Sequence, residues 1–137
     1  MNQKIFIIED DINLCSALTA KFSVLGFKTI SFSDSEILNI TNKIKIHRPD
    51  YIILNLNLPS VNGRDLLSAI KADEQLADIP VYIFSDADTA DTKDRALSLG
   101  AAQFFAKDKF ELDEFVERVA KIISNQEKLK NKKTSKQ

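Results

Sequence analysis

Short unbroken apolar runs alternate with longer amphipathic stretches along this chain, and that alternation limits its fold more than any other feature. Ile5-Phe6-Ile7-Ile8, Tyr51-Ile52-Ile53-Leu54 and Val81-Tyr82-Ile83-Phe84 are β-branched, leucine or aromatic throughout. Such runs suit strands buried on both faces, as in a parallel sheet. Lys28–Ser31 and Gln103–Ala106 read as two weaker strands. Between the strands lie helical patterns. Leu14, Leu18, Phe22 and Leu25 recur at spacings of four, four and three, and Gly26 then supplies a C-terminal stop. Ser33 and Glu36 have the spacing of a capping box ahead of an Ile37, Ile40, Ile44 stripe. Gly63–Ala72 and Thr89–Leu99 read as a third and a fourth helix, the latter ending at Gly100. Leu112, Phe115, Val116, Val119, Ile122 and Ile123 mark the apolar face of a fifth. The β-α order repeats five times, which predicts an α/β fold: a (βα)5 doubly wound, parallel five-stranded sheet with right-handed crossovers.

Charge divides the chain unevenly. The formal net charge is only -1, from 19 basic and 20 acidic side chains. Residues 125–137 hold five of the lysines and one Glu, which leaves 14 basic and 19 acidic side chains in residues 1–124. An acidic body over 1–124 is thus expected as the folded domain. A lysine-rich polar tail over 125–137, with no apolar face after Leu129, reads as a frayed helix end or a disordered segment. Near-neutrality argues against a nucleic-acid binder, and a DNA-associated regulator acting through the tail is kept only as a lower alternative. The single Cys15 excludes an internal disulfide and, among Leu14, Ala17 and Leu18, reads as a small core residue. One histidine, His47, excludes a multi-histidine metal site. No apolar run is long enough to span a membrane and no signal peptide is legible, so a cytoplasmic location is expected. The first strand is not followed by a glycine-rich phosphate loop, so a dinucleotide site is unsupported.

In a doubly wound sheet, ligands sit beyond the carboxyl ends of the strands. Here the first strand ends in Glu9-Asp10-Asp11 and the third in Asn55-Leu56-Asn57-Leu58-Pro59. The fourth ends in Ser85-Asp86 and the fifth in Lys107-Asp108. Carboxylates in such a place suit a hard cation, while hydroxyl and ammonium groups suit phosphoryl oxygens.

In this order and at these spacings, residues 4–124 resemble the receiver domains of two-component response regulators, a flavodoxin-like fold. Ile7-Ile8-Glu9-Asp10-Asp11, Pro49-Asp50 through Pro59, Asn62-Gly63, Ile79-Pro80 through Ser85, Ala96 through Ala101, and Lys107 carry the resemblance. It implies Mg²⁺ ligands at Glu9, Asp10 and the backbone carbonyl of Asn57. It places the phosphoryl acceptor at position 55, phosphoryl-oxygen contacts at Ser85 and Lys107, and a switching aromatic residue at Phe104. It also implies a sensor kinase or downstream effector as partner, and a homodimer through the face of the fourth helix, fifth strand and fifth helix.

Three residues depart from the family pattern. Asn55 stands where the family has an acceptor Asp. A carboxamide oxygen is uncharged and its nitrogen lone pair is delocalised, so it is a poor nucleophile. Losing one negative charge also weakens the attraction for Mg²⁺, so the metal is expected to bind weakly or not at all. Asp86 places an acid where the family has a small residue, which would repel an incoming dianion. Asp108 stands where the family has Pro, so a trans bond after Lys107 is expected. The chain therefore reads as a pseudo-receiver: a signalling module rather than an enzyme, without phosphoryl acceptance, acting through protein–protein interaction. The alternative is a working phosphoacceptor in which Asn55 is an introduced substitution.

Overall fold

A computed structural model describes residues 3–86, 89 and 91–135. Ten elements alternate along the chain: β1 (Lys4–Ile8), α1 (Ile12–Val24), β2 (Lys28–Ser31), α2 (Ile37–His47), β3 (Tyr51–Leu54), α3 (Gly63–Ala72), β4 (Val81–Ser85), α4 (Thr92–Ser98), β5 (Gln103–Ala106) and α5 (Leu112–Ser135). The strands form one parallel sheet in the order β2-β1-β3-β4-β5.

Successive side chains on a strand point to opposite faces, so an unbroken apolar strand feeds two cores at once. Phe6, Ile8, Ile52, Leu54, Ile83 and Phe104 pack with α2, α3 and α4 on one face. Ile5, Ile7, Tyr51, Ile53, Phe84 and Phe105 pack with α1 and α5 on the other. Phe105 meets Phe115 edge-on at 5.2 Å between ring centroids, and Phe84 stacks on Phe115 at 4.1 Å. Both Phe104 and Phe105 are buried, so neither presents a ring to solvent. Phe104, expected as a switching aromatic, lies in the core on the α2, α3 and α4 side of the sheet.

Helix ends depart from the sequence reading, twice through competing local side-chain bonds and once through a tertiary partner. The expected capping box does not form: α2 begins at Ile37, and Glu36 makes no side-chain cap. Asp34 Oδ1 accepts instead from the Glu36 N–H at 2.9 Å and from Asn39 Nδ2 at 3.2 Å, an acidic turn that outcompetes the Ser33 hydroxyl. α4 begins at Thr92, not Thr89, because Thr92 Oγ1 accepts the Thr89 N–H at 3.1 Å (residue 90 lies outside the described residues). α5 continues to Ser135, well past the boundary expected at residue 124. One tie holding that extension is the Tyr51 hydroxyl, which donates to Glu127 Oε2 at 2.7 Å from the buried start of β3. Cys15 is only half-buried, and its Sγ donates to the Glu9 carbonyl at 3.1 Å.

The chain order reverses between β1 and β3, which makes their carboxyl ends the topological switch point of the sheet. Glu9 follows one of these strands and Asn55 the other.

Candidate functional site

Asn55 sits directly after β3, buried at 7% exposure, and its backbone N–H bonds the Ile8 carbonyl at 3.1 Å. Nδ2 lies 3.1 Å from each Glu9 carboxylate oxygen, so one of its N–H groups donates a single three-centre bond shared between them. Oδ1 accepts from Ser85 Oγ at 2.8 Å and from the Asn57 N–H at 3.0 Å, which uses both of its lone pairs. The partners fix the orientation, since the reverse one would set a carbonyl oxygen against a carboxylate.

Glu9 is buried by the end of β1. Its Oε1 also accepts from Lys107 Nζ at 3.1 Å, and its Oε2 from the Asp11 N–H at 3.2 Å. Lys107, at the end of β5, is thus the counter-charge of this acid, with its ammonium 5.7 Å from the centre of the Phe84 ring. Ser85 is fully buried at the end of β4. Its hydroxyl donates to Asn55 and accepts from the Leu56 N–H at 3.1 Å, so it caps the β3–α3 loop rather than the next helix. One connected network therefore joins the ends of β1, β3, β4 and β5: Lys107 to Glu9 to Asn55 to Ser85.

The remaining expected site residues stand outside this ring. Asp10 is half-buried, and its Oδ2 accepts from Ser60 Oγ at 3.0 Å. Asn57 is exposed in the β3–α3 loop, held through its own N–H. Asp11 caps α1, accepting the Leu14 N–H at 3.1 Å. Asp86 and Asp108 are exposed, and no described peptide bond is cis. Phe104 packs under the α3–α4 face beside Ile83. Among the described residues, no group of three or more His, Cys, Asp or Glu side chains is placed to hold a metal ion. Burial, and then the charges of Glu9, Asp11 and Asp10, push the Cys15 thiol up from its ordinary value, so it has little thiolate character.

Sequence reasoning missed two contributors. Ser60 bridges Asp10 and, at 3.4 Å, the Asp34 carbonyl. A serine in a polar loop carries no signal of such a bond. Gly63 opens α3 against the backbone of Leu56, where an added Cβ would fall 2.7 Å from the Leu56 carbonyl carbon. The Asn62-Gly63 pair was legible as a helix start, but the close approach needs the tertiary fold. Asn62 itself caps α3, accepting from the Arg64 and Asp65 N–H groups.

Comparison with known proteins agrees with this architecture. A curated relative, Sporulation initiation phosphotransferase F of Bacillus subtilis, is 29% identical over 124 residues, covering 90% of this chain and 95% of that protein. Transcriptional regulatory protein KdpE of Staphylococcus aureus is 35% identical over 130 residues. Of that regulator the match covers 52%, against 88% of this chain, so the chain spans about half its length. The solved structure of the non-phosphorylated HemR receiver domain from Leptospira biflexa superposes with a TM-score of 0.76. It is 30% identical and covers 89% of this chain and 94% of that one. The family model for the response regulator receiver domain matches residues 5–120. With five parallel strands, five helices and a polar cluster at the β1–β3 switch point, the chain belongs to the receiver domains of response regulators in two-component signalling.

Proposed function

We propose that this receiver does not take a phosphoryl group and works as a fixed protein-docking module rather than as an enzyme. The observation that carries this reading is the engagement of both lone pairs of the Asn55 oxygen, with its amide group turned to Glu9. Phosphoryl transfer to a receiver needs an anionic oxygen free to attack phosphorus in line. The Asn55 oxygen is neutral, and both of its lone pairs already accept hydrogen bonds. Ser85 and Lys107, the groups suited to phosphoryl oxygens, are committed to Asn55 and Glu9. The exposed Asp86 next to Ser85 adds repulsion against a dianion.

Receiver domains interact with sensor kinases and effector domains, and either class is the partner we assign to this chain. The docking face we favour is α4-β5-α5, which can also carry a homodimer. Leu97 on α4 is among the few large apolar side chains left exposed. Nucleic acid is not assigned as a partner. No helix among the described residues is long and apolar enough to cross a membrane, which accords with a cytoplasmic site of action.

Intact mass after incubation with acetyl phosphate and Mg²⁺ tests the proposal. The expected mass is unchanged. A gain of one phosphoryl group, abolished by Ser85→Ala or Asp10→Ala, would establish the working phosphoacceptor instead.

A further inference from the structure

We infer that the rim of this receiver operates without a divalent cation, because Asn55 and Lys107 engage the buried Glu9 carboxylate that a cation would need. The inference rests on the same Asn55 geometry as the reading above, but it concerns metal rather than phosphoryl transfer. A carboxylate offers about four lone-pair sites on its two oxygens. On Glu9 both oxygens are engaged, by three donors, one of them shared. Oε1 receives Asn55 Nδ2 and Lys107 Nζ, each at 3.1 Å. Oε2 receives Asn55 Nδ2 at 3.1 Å and the Asp11 N–H at 3.2 Å.

The donor set therefore does not fit Mg²⁺, which demands near-octahedral oxygen coordination and is usually held by one or two carboxylates. Glu9 could ligate only by releasing an ammonium or an amide inside a buried site. Asp10 already accepts from Ser60 and would be left as the one available carboxylate. In the buried part of the rim the ammonium of Lys107 offsets Glu9 and Asn55 is neutral, while the other acids, Asp10, Asp11 and Asp86, are half-buried or exposed to solvent. The network also does what a bridging cation would do mechanically. It ties the carboxyl ends of β1, β3, β4 and β5 together through side chains alone. Asn55 acts here as a positioning residue.

The test is a Mg²⁺ titration of the intact chain, read by thermal melting and by amide chemical shifts, with no phosphodonor present. A site held at about tenfold excess of free metal over its Kd raises the melting temperature by roughly 5 °C in a domain of this size. The expected result is the same melting temperature in EDTA and in millimolar Mg²⁺, with no saturating shifts at the Glu9, Asp10, Asn55 or Asn57 amides. Asn55→Asp removes the donated bond and restores an anionic ligand, so that variant is expected to gain a saturating response. A saturating response of the unaltered chain at those amides, with a raised melting temperature, overturns the inference whether or not the variant folds. That failure would leave the phosphoryl reading intact, because metal could bind without phosphoryl uptake. Phosphorylation of the unaltered chain would overturn the phosphoryl reading first.

Discussion

Replacing Asn55 by Asp in metal-free buffer should weaken the fold, although the substitution would return the side chain usual to the family. In the native network Nδ2 is 3.1 Å from both Glu9 oxygens. Asn55→Asp puts a second anionic oxygen there. Two like charges at that separation repel by about 5 kcal/mol at an effective dielectric of about 20. The shared bond donated to a charged acceptor is lost as well, a contribution of about 1.5–3 kcal/mol. Lys107 partly offsets the repulsion, and rotation of the new carboxylate relieves more of it. A net destabilisation of about 3 kcal/mol is the working figure, equivalent to a fall in melting temperature on the order of 10 °C. Differential scanning calorimetry of the native chain and the variant, both in EDTA near neutral pH, measures it. Equal melting temperatures would refute the reasoning, because they would mean that the Asn55–Glu9 bond contributes nothing. Labelling of this variant by acetyl phosphate is expected to stay inefficient while Asp86 remains.

Further outcomes follow from other parts of the molecule. Gly63→Ala sets a Cβ against the Leu56 backbone and should cost about 3 kcal/mol or more, read as a lower urea midpoint; a midpoint within error of the native one would contradict the close approach. Tyr51→Phe removes the tie to Glu127 and should speed amide exchange around residues 127–135 by roughly fivefold, with little change in α1 or β1. Stability should also fall at both pH extremes. Asp34, Asp73 and Asp91 are held below the ordinary carboxylate value, chiefly by the Glu36 N–H, by the Lys45 side chain and by the Thr89 hydroxyl. Their contribution is in place above about pH 4 and is lost as pH falls through the lowered values, and Lys45→Met should flatten that acid limb. Burial pushes Tyr82 up to about 12 and Tyr51 up as well, so the folded state resists phenolate while the unfolded chain ionises near pH 10. The melting temperature should therefore hold below about pH 10 and drop as pH rises toward 12.

The strands were the most legible part of the sequence. Each apolar run is buried on both faces, so β1 and β3 end where apolar character is lost, at Glu9 and Asn55, while β4 runs one residue further, to the buried Ser85. Gly63–Ala72 was equally plain because Asn62 is a local cap. Helix ends set by competing side chains, near or distant, were not legible. Asp34 displaces the Ser33 cap, and Tyr51 supports an α5 extension whose own residues show no apolar face. At the site, strand-end positions sufficed to place Glu9, Asn55, Ser85 and Lys107 on one rim. The hydrogen bonds each makes depend on side-chain distances, so the engagement of Glu9 by Asn55 and Lys107 could not be read from spacing. Ser60 lay in the same blind spot.

The central claim is that the rim is already closed and does not respond to a phosphodonor. The most direct measurement compares ¹⁵N–¹H spectra of the unaltered chain before and after adding acetyl phosphate with Mg²⁺. The account predicts superimposable signals for Asn55, Asn57, Ser85, Phe104 and Lys107. A shift that starts at Asn57 and Ser85 and extends to Phe104 would contradict it.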